Sequence, residues 1–328
     1  VIIGVGSIGE RHLRCFQATG RVGLSLVEIN DALRRTVAER YGVRDAHADL
    51  DAALADRPDA AVIATPAQLH IPLAIRLAEA GVHLLIEKPL STTLDGIERL
   101  RELLRERRLS AAVAYVYRCH PLLIAMRQAL LSGRFGQPVE LISVSGQHFP
   151  TYRPAYRSTY FTDRATGGGA IQDALTHIIN AGEWLVGSVE RIVADAAHRV
   201  LEGVSVEDTV HILARHGSVL GSYSLNQYQA PNETTITIVC ERGTLRCDFH
   251  EHRWRWMVEP GGTWRDECIA PLERDVIFQL QANTFLDVIE GRAASPCSLD
   301  EGFQTLRANL AALASLDHGW QTIDTRAP

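Results

Sequence analysis

At 328 residues the chain is long enough for two domains of ordinary size, each burying its own core, so no disulfide scaffold is required. Hydrophobic residues at 46% and charged residues at 22% match the average globular composition and exclude a disordered or fibrous chain. The 33 basic and 39 acidic side chains leave a net charge of −6 without any long run of one sign, which argues against a nucleic-acid partner. The longest apolar stretches are broken by Arg, Gln, Glu or His well short of the roughly 18 residues that a membrane helix needs, so no membrane partner is expected.

The opening residues, from Val1, already lie in an apolar run and Val1 is not a methionine, so a few leading residues are expected to precede it. Up to about residue 118, short β-rich runs (1–5, 24–29, 60–64, 83–87, 111–116) alternate with stretches whose apolar residues recur every three or four positions, as in 8–19, 69–80 and 94–107. Such alternation predicts a doubly wound parallel sheet of the Rossmann type, an α/β domain over residues 1–120. After a helix near 122–131 the pattern becomes strands in succession (139–148, 190–200, 208–215, 219–228, 234–240, 244–249, 253–259), which predicts a large, mostly antiparallel open sheet in an α+β domain over 121–328. The amphipathic stretches 272–290 and 299–317 are expected to cover one face of that sheet. Its other face, β-branched and uncharged around Thr235, Thr237 and Val239, predicts a homodimer or homotetramer formed through this sheet.

Gly4, Gly6 and Gly9 form G-x-G-x-x-G between the first strand and the first helix, with Ser7 and Ile8 at the turn. The spacing predicts a dinucleotide site, because glycines let the backbone approach a pyrophosphate and the helix N-terminus offers unpaired N–H groups. Glu28 closes the second strand, where a carboxylate accepts ribose hydroxyls and repels a 2′-phosphate. That predicts NAD over NADP, with Arg34 and Arg35 nearby able to soften the preference. The six cysteines form no C-x-x-C pair, so buried, reduced thiols and a cytoplasmic setting are expected. His250-Glu251-His252 places two imidazoles on one face of a predicted strand but brings no third ligand, and no metal is expected.

Two further signatures, Glu87-Lys88-Pro89 at the end of the fourth predicted strand and Gly167-Gly168-Gly169-Ala170-Ile171-Gln172-Asp173 running on to His177, resemble those of the Gfo/Idh/MocA family. This family is named for glucose-fructose oxidoreductase and inositol dehydrogenase. Thr65-Pro66 with His70, Tyr117-Arg118 and the closing stretch 319–324 extend the likeness along nearly the whole chain. The resemblance implies a Rossmann domain joined to an α+β domain. It also implies a reversible hydride transfer between nicotinamide and a secondary hydroxyl or ketone of a small polyhydroxylated substrate such as a sugar, cyclitol or sugar acid. It places Thr65, Pro66, His70, Glu87 and Lys88 at the cofactor, Tyr117 and Arg118 at the substrate, and Lys88, Asp173 and His177 in the acid–base group, itself in contact with substrate.

The residue types fit those roles. Asp173 and His177 stand four apart on a predicted helix, so a carboxylate can orient an imidazole. The chain departs from the family's D-x-G-x-H-x-x-D pattern at Leu175 and Asn180. Tyr156 and Arg157 offer an aromatic face and a guanidinium to a sugar or carboxylate, or else anchor a loop. Two other readings stand beside the dehydrogenase: a redox-neutral sugar-modifying enzyme with retained NAD, and a dinucleotide-sensing regulator of the same fold.

Overall fold

The computed structural model describes residues 1–325, and the chain divides into two compact units. One comprises Val1–Cys119 with Glu273–Phe303; the other comprises His120–Leu272 and the chain from Gln304 onward. In the first unit six parallel strands, β1 (Ile2–Ile3), β2 (Ser25–Val27), β3 (Asp45–His47), β4 (Ala60–Ile63), β5 (His83–Ile86) and β6 (Ala111–Val113), lie in the order β3-β2-β1-β4-β5-β6. The crossovers carry α1 (Ser7–Ala18), α2 (Asp31–Tyr41), α3 (Leu50–Ala55), α4 (His70–Glu79) and α5 (Ile97–Glu106). This is the doubly wound order whose chain reversal beside β1 opens a ligand crevice at the carboxyl ends of the strands.

Apolar residues recurring along α1 turn Gly9, Leu13 and Phe16 inward, where Leu13 and Phe16 pack with Ile2, Leu26 and Val62 of the strands. The antiparallel unit begins with α6 (Pro121–Leu131), β7 (Pro138–Gly146), the short α7 (Phe149–Tyr152) and α8 (Thr176–Val186). It continues with β8 (Arg191–Ala197), β9 (Thr209–His216), β10 (Val219–Asn226), β11 (Glu233–Cys240), β12 (Gly243–Asp248), β13 (Arg253–Met257) and β14 (Arg265–Cys268). Beyond α9 (Val276–Ile289) and α10 (Leu299–His318), β15 (Gln321–Thr322) completes a nine-stranded sheet ordered β14-β13-β12-β11-β7-β10-β9-β8-β15. One pair, β7 with β10, is parallel and the rest are antiparallel.

The expectation that residues 272–290 cover the second sheet is corrected. Ala282, Phe285 and Leu286 of α9 join the core of the first unit, with the Phe285 ring edge-on to Phe16 at 6.2 Å and Asp275 paired with Arg14. Periodicity gave this segment an apolar face but carried no mark of which body that face covers. Instead α6 and α8 pack on the large sheet, and α10 reaches it where Ser315 Oγ accepts from the Ala194 amide at 2.8 Å. Among the described residues no helix is long and apolar enough to cross a membrane, and no group of three or more His, Cys, Asp or Glu could hold a metal ion. His250 and Glu251 lie in a short 3₁₀ turn and His252 adopts φ 52°, so the strand alternation assumed for the two imidazoles is corrected, while the next strand begins at Arg253 as expected.

Candidate active site

In the loop that leaves β1, one position admits only glycine and another has open space where a side chain would stand. A Cβ on Gly9 would stand 1.8 Å from the Gly4 carbonyl oxygen, so α1 can start this close to β1 only without a side chain there. A Cβ on Gly6 would meet nothing within 4 Å. Gly6 is the N-cap of α1, at φ −62° and ψ −171°, a conformation open to any residue, and no side chain caps the helix. The N-terminus of a twelve-residue helix therefore faces open space with its first amides uncovered, the form of an anion cradle.

Glu28, at the end of β2, turns its carboxylate back onto this loop. Oε2 accepts from the Val5 amide at 3.1 Å and Oε1 from the Asn30 amide at 3.0 Å. A carboxylate has about four acceptor positions, so both oxygens keep capacity for hydroxyl donors. Arg34 donates to the Glu28 carbonyl at 2.8 Å and pairs with Asp31, and Arg35 also pairs with Asp31 at 2.8 Å. Both guanidiniums are thus partly neutralised by one carboxylate, which weakens the case for a 2′-phosphate site.

The loops after β4 and β5 leave the same edge of the parallel sheet as the glycine loop. Strand spacing puts β5 about 10 Å from β1. Thr65 lies against Gly4, and its Oγ1 is buried without a hydrogen-bond partner, while Pro66 is exposed. Lys88 is half-buried at the end of β5, next to the buried Glu87. Glu87 Oε2 accepts from the Lys88 amide at 2.9 Å, and Glu87 Oε1 accepts from Nε2 of the buried His12 at 2.7 Å. His70, expected at the cofactor, is buried with Nε2 at 2.8 Å from the Thr65 carbonyl and Nδ1 at 3.0 Å from the Pro89 carbonyl. The neutral ring donates to one of these two carbonyls, which places His70 between the loops after β4 and β5. Burial pushes its pKa down, against the pull of the Thr65 carbonyl and the Glu87 charge.

In the other unit Asp173 sits in a single π-helical turn, Ile171–Leu175, that runs directly into α8. π turns are rare and concentrate at functional sites. Here the turn replaces the regular helix on which the four-residue spacing of Asp173 and His177 was read. Asp173 is 2% exposed, and its partners include the Tyr160 hydroxyl, donating at 2.7 Å, and Arg153 at 3.4 Å. The carboxylate itself is buried, while its partners reach solvent, Tyr160 at 38% exposure and the Arg153 side chain at 52%. His177 is half-buried, and the stripe of Ile171, Leu175, Ile178 and Leu185 is buried as expected of the packed face. The turn is fixed from behind by the buried Glu207, which accepts from the Ile171 amide at 3.1 Å and from Arg164 at 2.8 Å. Gly169, at φ +87°, leaves the space that Glu207 fills.

Several expected substrate contacts have other work. Tyr156 is 4% exposed in a cluster with Phe149, Phe161, Leu201 and Val206, and its hydroxyl donates to the Glu202 carbonyl. Arg157 holds that hydroxyl and the Glu202 carboxylate, so the loop-anchoring alternative describes both residues. Arg118 is buried in a pair with Glu301 and donates to the Pro296 carbonyl at 3.3 Å. Arg118→Ala is therefore expected to cost about 2 kcal/mol in a urea-denaturation series, by removing a charge-assisted hydrogen bond and the packing of a buried side chain, with no change in the KM of any substrate. Tyr117 is half-buried in the 3₁₀ turn Val116–Cys119. Asn180, where the family pattern has Asp, is buried and donates to Thr305 Oγ1 at 2.9 Å, which in turn donates to Glu183 at 2.6 Å. Its place is against α10. Tyr160 and His12 were not singled out by sequence.

An uncapped helix N-terminus behind glycines, with a carboxylate at the end of β2, is the arrangement of a Rossmann dinucleotide-binding domain. The chain belongs to the Gfo/Idh/MocA family. The family model described as an oxidoreductase family with an NAD-binding Rossmann fold matches residues 1–115, and the GFO/IDH/MocA C-terminal domain model matches residues 123–246. An inositol 2-dehydrogenase of Corynebacterium glutamicum is 30% identical over 271 residues, 78% of this chain and 75% of that protein. A levoglucosan dehydrogenase of Pseudarthrobacter phenanthrenivorans is 28% identical over 204 residues, 59% of this chain, and the match spans about half of that relative's length, 52%. A solved levoglucosan dehydrogenase in complex with NADH and levoglucosan shares the fold, with a TM-score of 0.87 over 98% of both chains at 21% identity.

Proposed function

We propose that this chain is an NAD-dependent dehydrogenase acting on a secondary hydroxyl, or the matching ketone, of a sugar, cyclitol or sugar acid. The observation that carries the reading is the carboxyl edge of the parallel sheet. There the open cradle at Gly6, the Glu28 carboxylate and the loop bearing Lys88 stand together in one unit. Gly4, Gly6, Ser7, Ile8 and Gly9 would hold the diphosphate, Glu28 the ribose hydroxyls, and Thr65 and Pro66 the approach to Lys88. The Thr65 hydroxyl and the exposed α1 amides are polar groups that such a ligand satisfies. When bound, NAD supplies the hydride acceptor. We assign the proton work to Lys88, Asp173 and His177: Lys88 hydrogen-bonds the reacting hydroxyl, His177 takes its proton as the carbinol hydride leaves, and Asp173 supplies the negative charge that favours a protonated imidazole.

Incubation with NAD and a panel of polyols, sugars and sugar acids tests this at 340 nm. Stoichiometric NADH formation with at least one member is expected. Retained NAD with altered sugar product would favour the redox-neutral alternative, and tight NAD binding with full inactivity the regulator. Glu28→Ala is expected to raise the NAD dissociation constant by about tenfold or more, the loss of a charged hydrogen bond, and to narrow the preference over NADP, read by quenching of NADH fluorescence.

We also place a self-association surface on the open face of the nine-stranded sheet. On it Val144, Leu213 and Leu220 are 36%, 54% and 46% exposed, a run of apolar side chains unusual for a solvated face. Sedimentation equilibrium is expected to return a dimer or tetramer; a monomer at micromolar concentration would contradict it. The six cysteines are all free thiols, which fits the reducing cytoplasm.

A further inference from the structure

We infer that His12 is a positioning residue for Lys88, acting through Glu87. This rests on the assignment of Lys88 above, and concerns how the chain holds that lysine in place. Lys88 follows a strand and precedes a loop, where backbone direction is least constrained, yet its own amide and the carbonyl of the next residue both meet buried polar side chains. On one side Glu87 Oε2 accepts from the Lys88 amide at 2.9 Å. On the other, the Pro89 carbonyl lies 3.0 Å from His70 Nδ1, whose opposite nitrogen is 2.8 Å from the Thr65 carbonyl.

The grip of Glu87 depends on a further group. A carboxylate side chain can rotate, and one that is 4% exposed without a second strong partner would pay a large desolvation cost. His12 supplies that partner: its Nε2 stands 2.7 Å from Glu87 Oε1. An ionised carboxylate only accepts, so Nε2 carries the hydrogen. The ring is 1% exposed and is itself fixed edge-on to Phe278 at 5.9 Å and tilted against Phe16 at 6.4 Å. It comes from the second turn of α1, the helix whose first turn forms the anion cradle. One rigid helix thus carries both the cradle and the anchor of the lysine loop.

Three variants separate the possibilities, each assayed below its melting temperature with the best substrate of the panel. His12→Leu keeps an apolar shape against Phe278 but removes the donor; His12→Gln keeps a donor; Lys88→Ala removes the group being positioned. The inference expects His12→Leu to lower kcat by about tenfold to a hundredfold, the scale of a misplaced reacting group, with little change in KM or in NAD affinity. It expects His12→Gln to recover most of that loss. Wild-type kcat in His12→Leu, an equal loss in both His12 variants, or a loss matched by weaker NAD binding would each overturn it. If Lys88→Ala itself kept full turnover, the assignment of Lys88 would be at fault instead.

Discussion

Lys88→Ala is expected to lower kcat by about a thousandfold, within the range that positioned acid–base groups contribute, while NAD binding is preserved. The separation follows from where the groups lie. In the proposed function, affinity for the dinucleotide comes from the loop after β1 and from Glu28, which the substitution does not touch. Lys88 stands at the end of β5, where its amide donates to Glu87, a bond that the substitution keeps. Truncating the side chain therefore leaves the loop anchored. Steady-state turnover and a fluorescence titration with NADH, run on the same preparation, check both halves. Unchanged turnover would remove Lys88 from the mechanism, and a parallel loss of NAD affinity would make it a binding residue only.

The second large effect contrasts two glycines of one motif. Gly9→Ala forces a methyl to 1.8 Å from the Gly4 carbonyl oxygen and 3.3 Å from the Ala64 Cβ, and the obstructing atom is backbone rather than the end of a flexible side chain. Overpacking of this kind costs about 1–3 kcal/mol or more, so a clear drop in melting temperature is expected whether or not NAD is present. Gly6→Ala adds a methyl where the protein has no atom within 4 Å, in a backbone conformation alanine adopts freely. The apoprotein should melt within a few degrees of wild type, the cost of a poorer N-cap, yet bind NAD about a hundredfold more weakly as the methyl blocks the pyrophosphate from the α1 amides. Calorimetric melting with and without NAD distinguishes the two. If Gly6→Ala bound NAD normally, the cradle would lie elsewhere.

Much of this arrangement is legible in the residues alone, because the strongest signals are local. The alternation of short apolar runs with three- and four-residue periodicity marks β1, β2, β4, β5 and β6 and their helices, and the glycine spacing marks the loop after β1. The short α2, β3 and α3 escaped because an eleven-residue helix with one buried side chain, Val37, and a three-residue strand with none carry too little periodicity to register. What sequence could not supply was the partner of each polar group. Arg118 and Tyr156 are residue types that sugars and carboxylates use, and nothing in spacing tells that Glu301 and the Glu202 carbonyl, distant along the chain, already hold them. His70 was noticed for its place after Thr65-Pro66, but its two carbonyl partners belong to separate loops. The same blindness hid His12, which reads as one more helical residue until Glu87, 75 positions away, is brought to its ring. Asp173 stands out in the sequence, but its surroundings do not: the π turn and the contact from Tyr160 depend on how the segment before the glycines folds back.

The central claim is a direct transfer of hydrogen between substrate carbon and nicotinamide, and isotopic labelling addresses it most directly. A substrate from the panel carrying deuterium at the reacting carbinol carbon should yield one deuterium per reduced nicotinamide by mass spectrometry, with slower turnover than the unlabelled compound when the transfer limits the rate. Reduced cofactor free of deuterium, or label lost to water, would contradict the account.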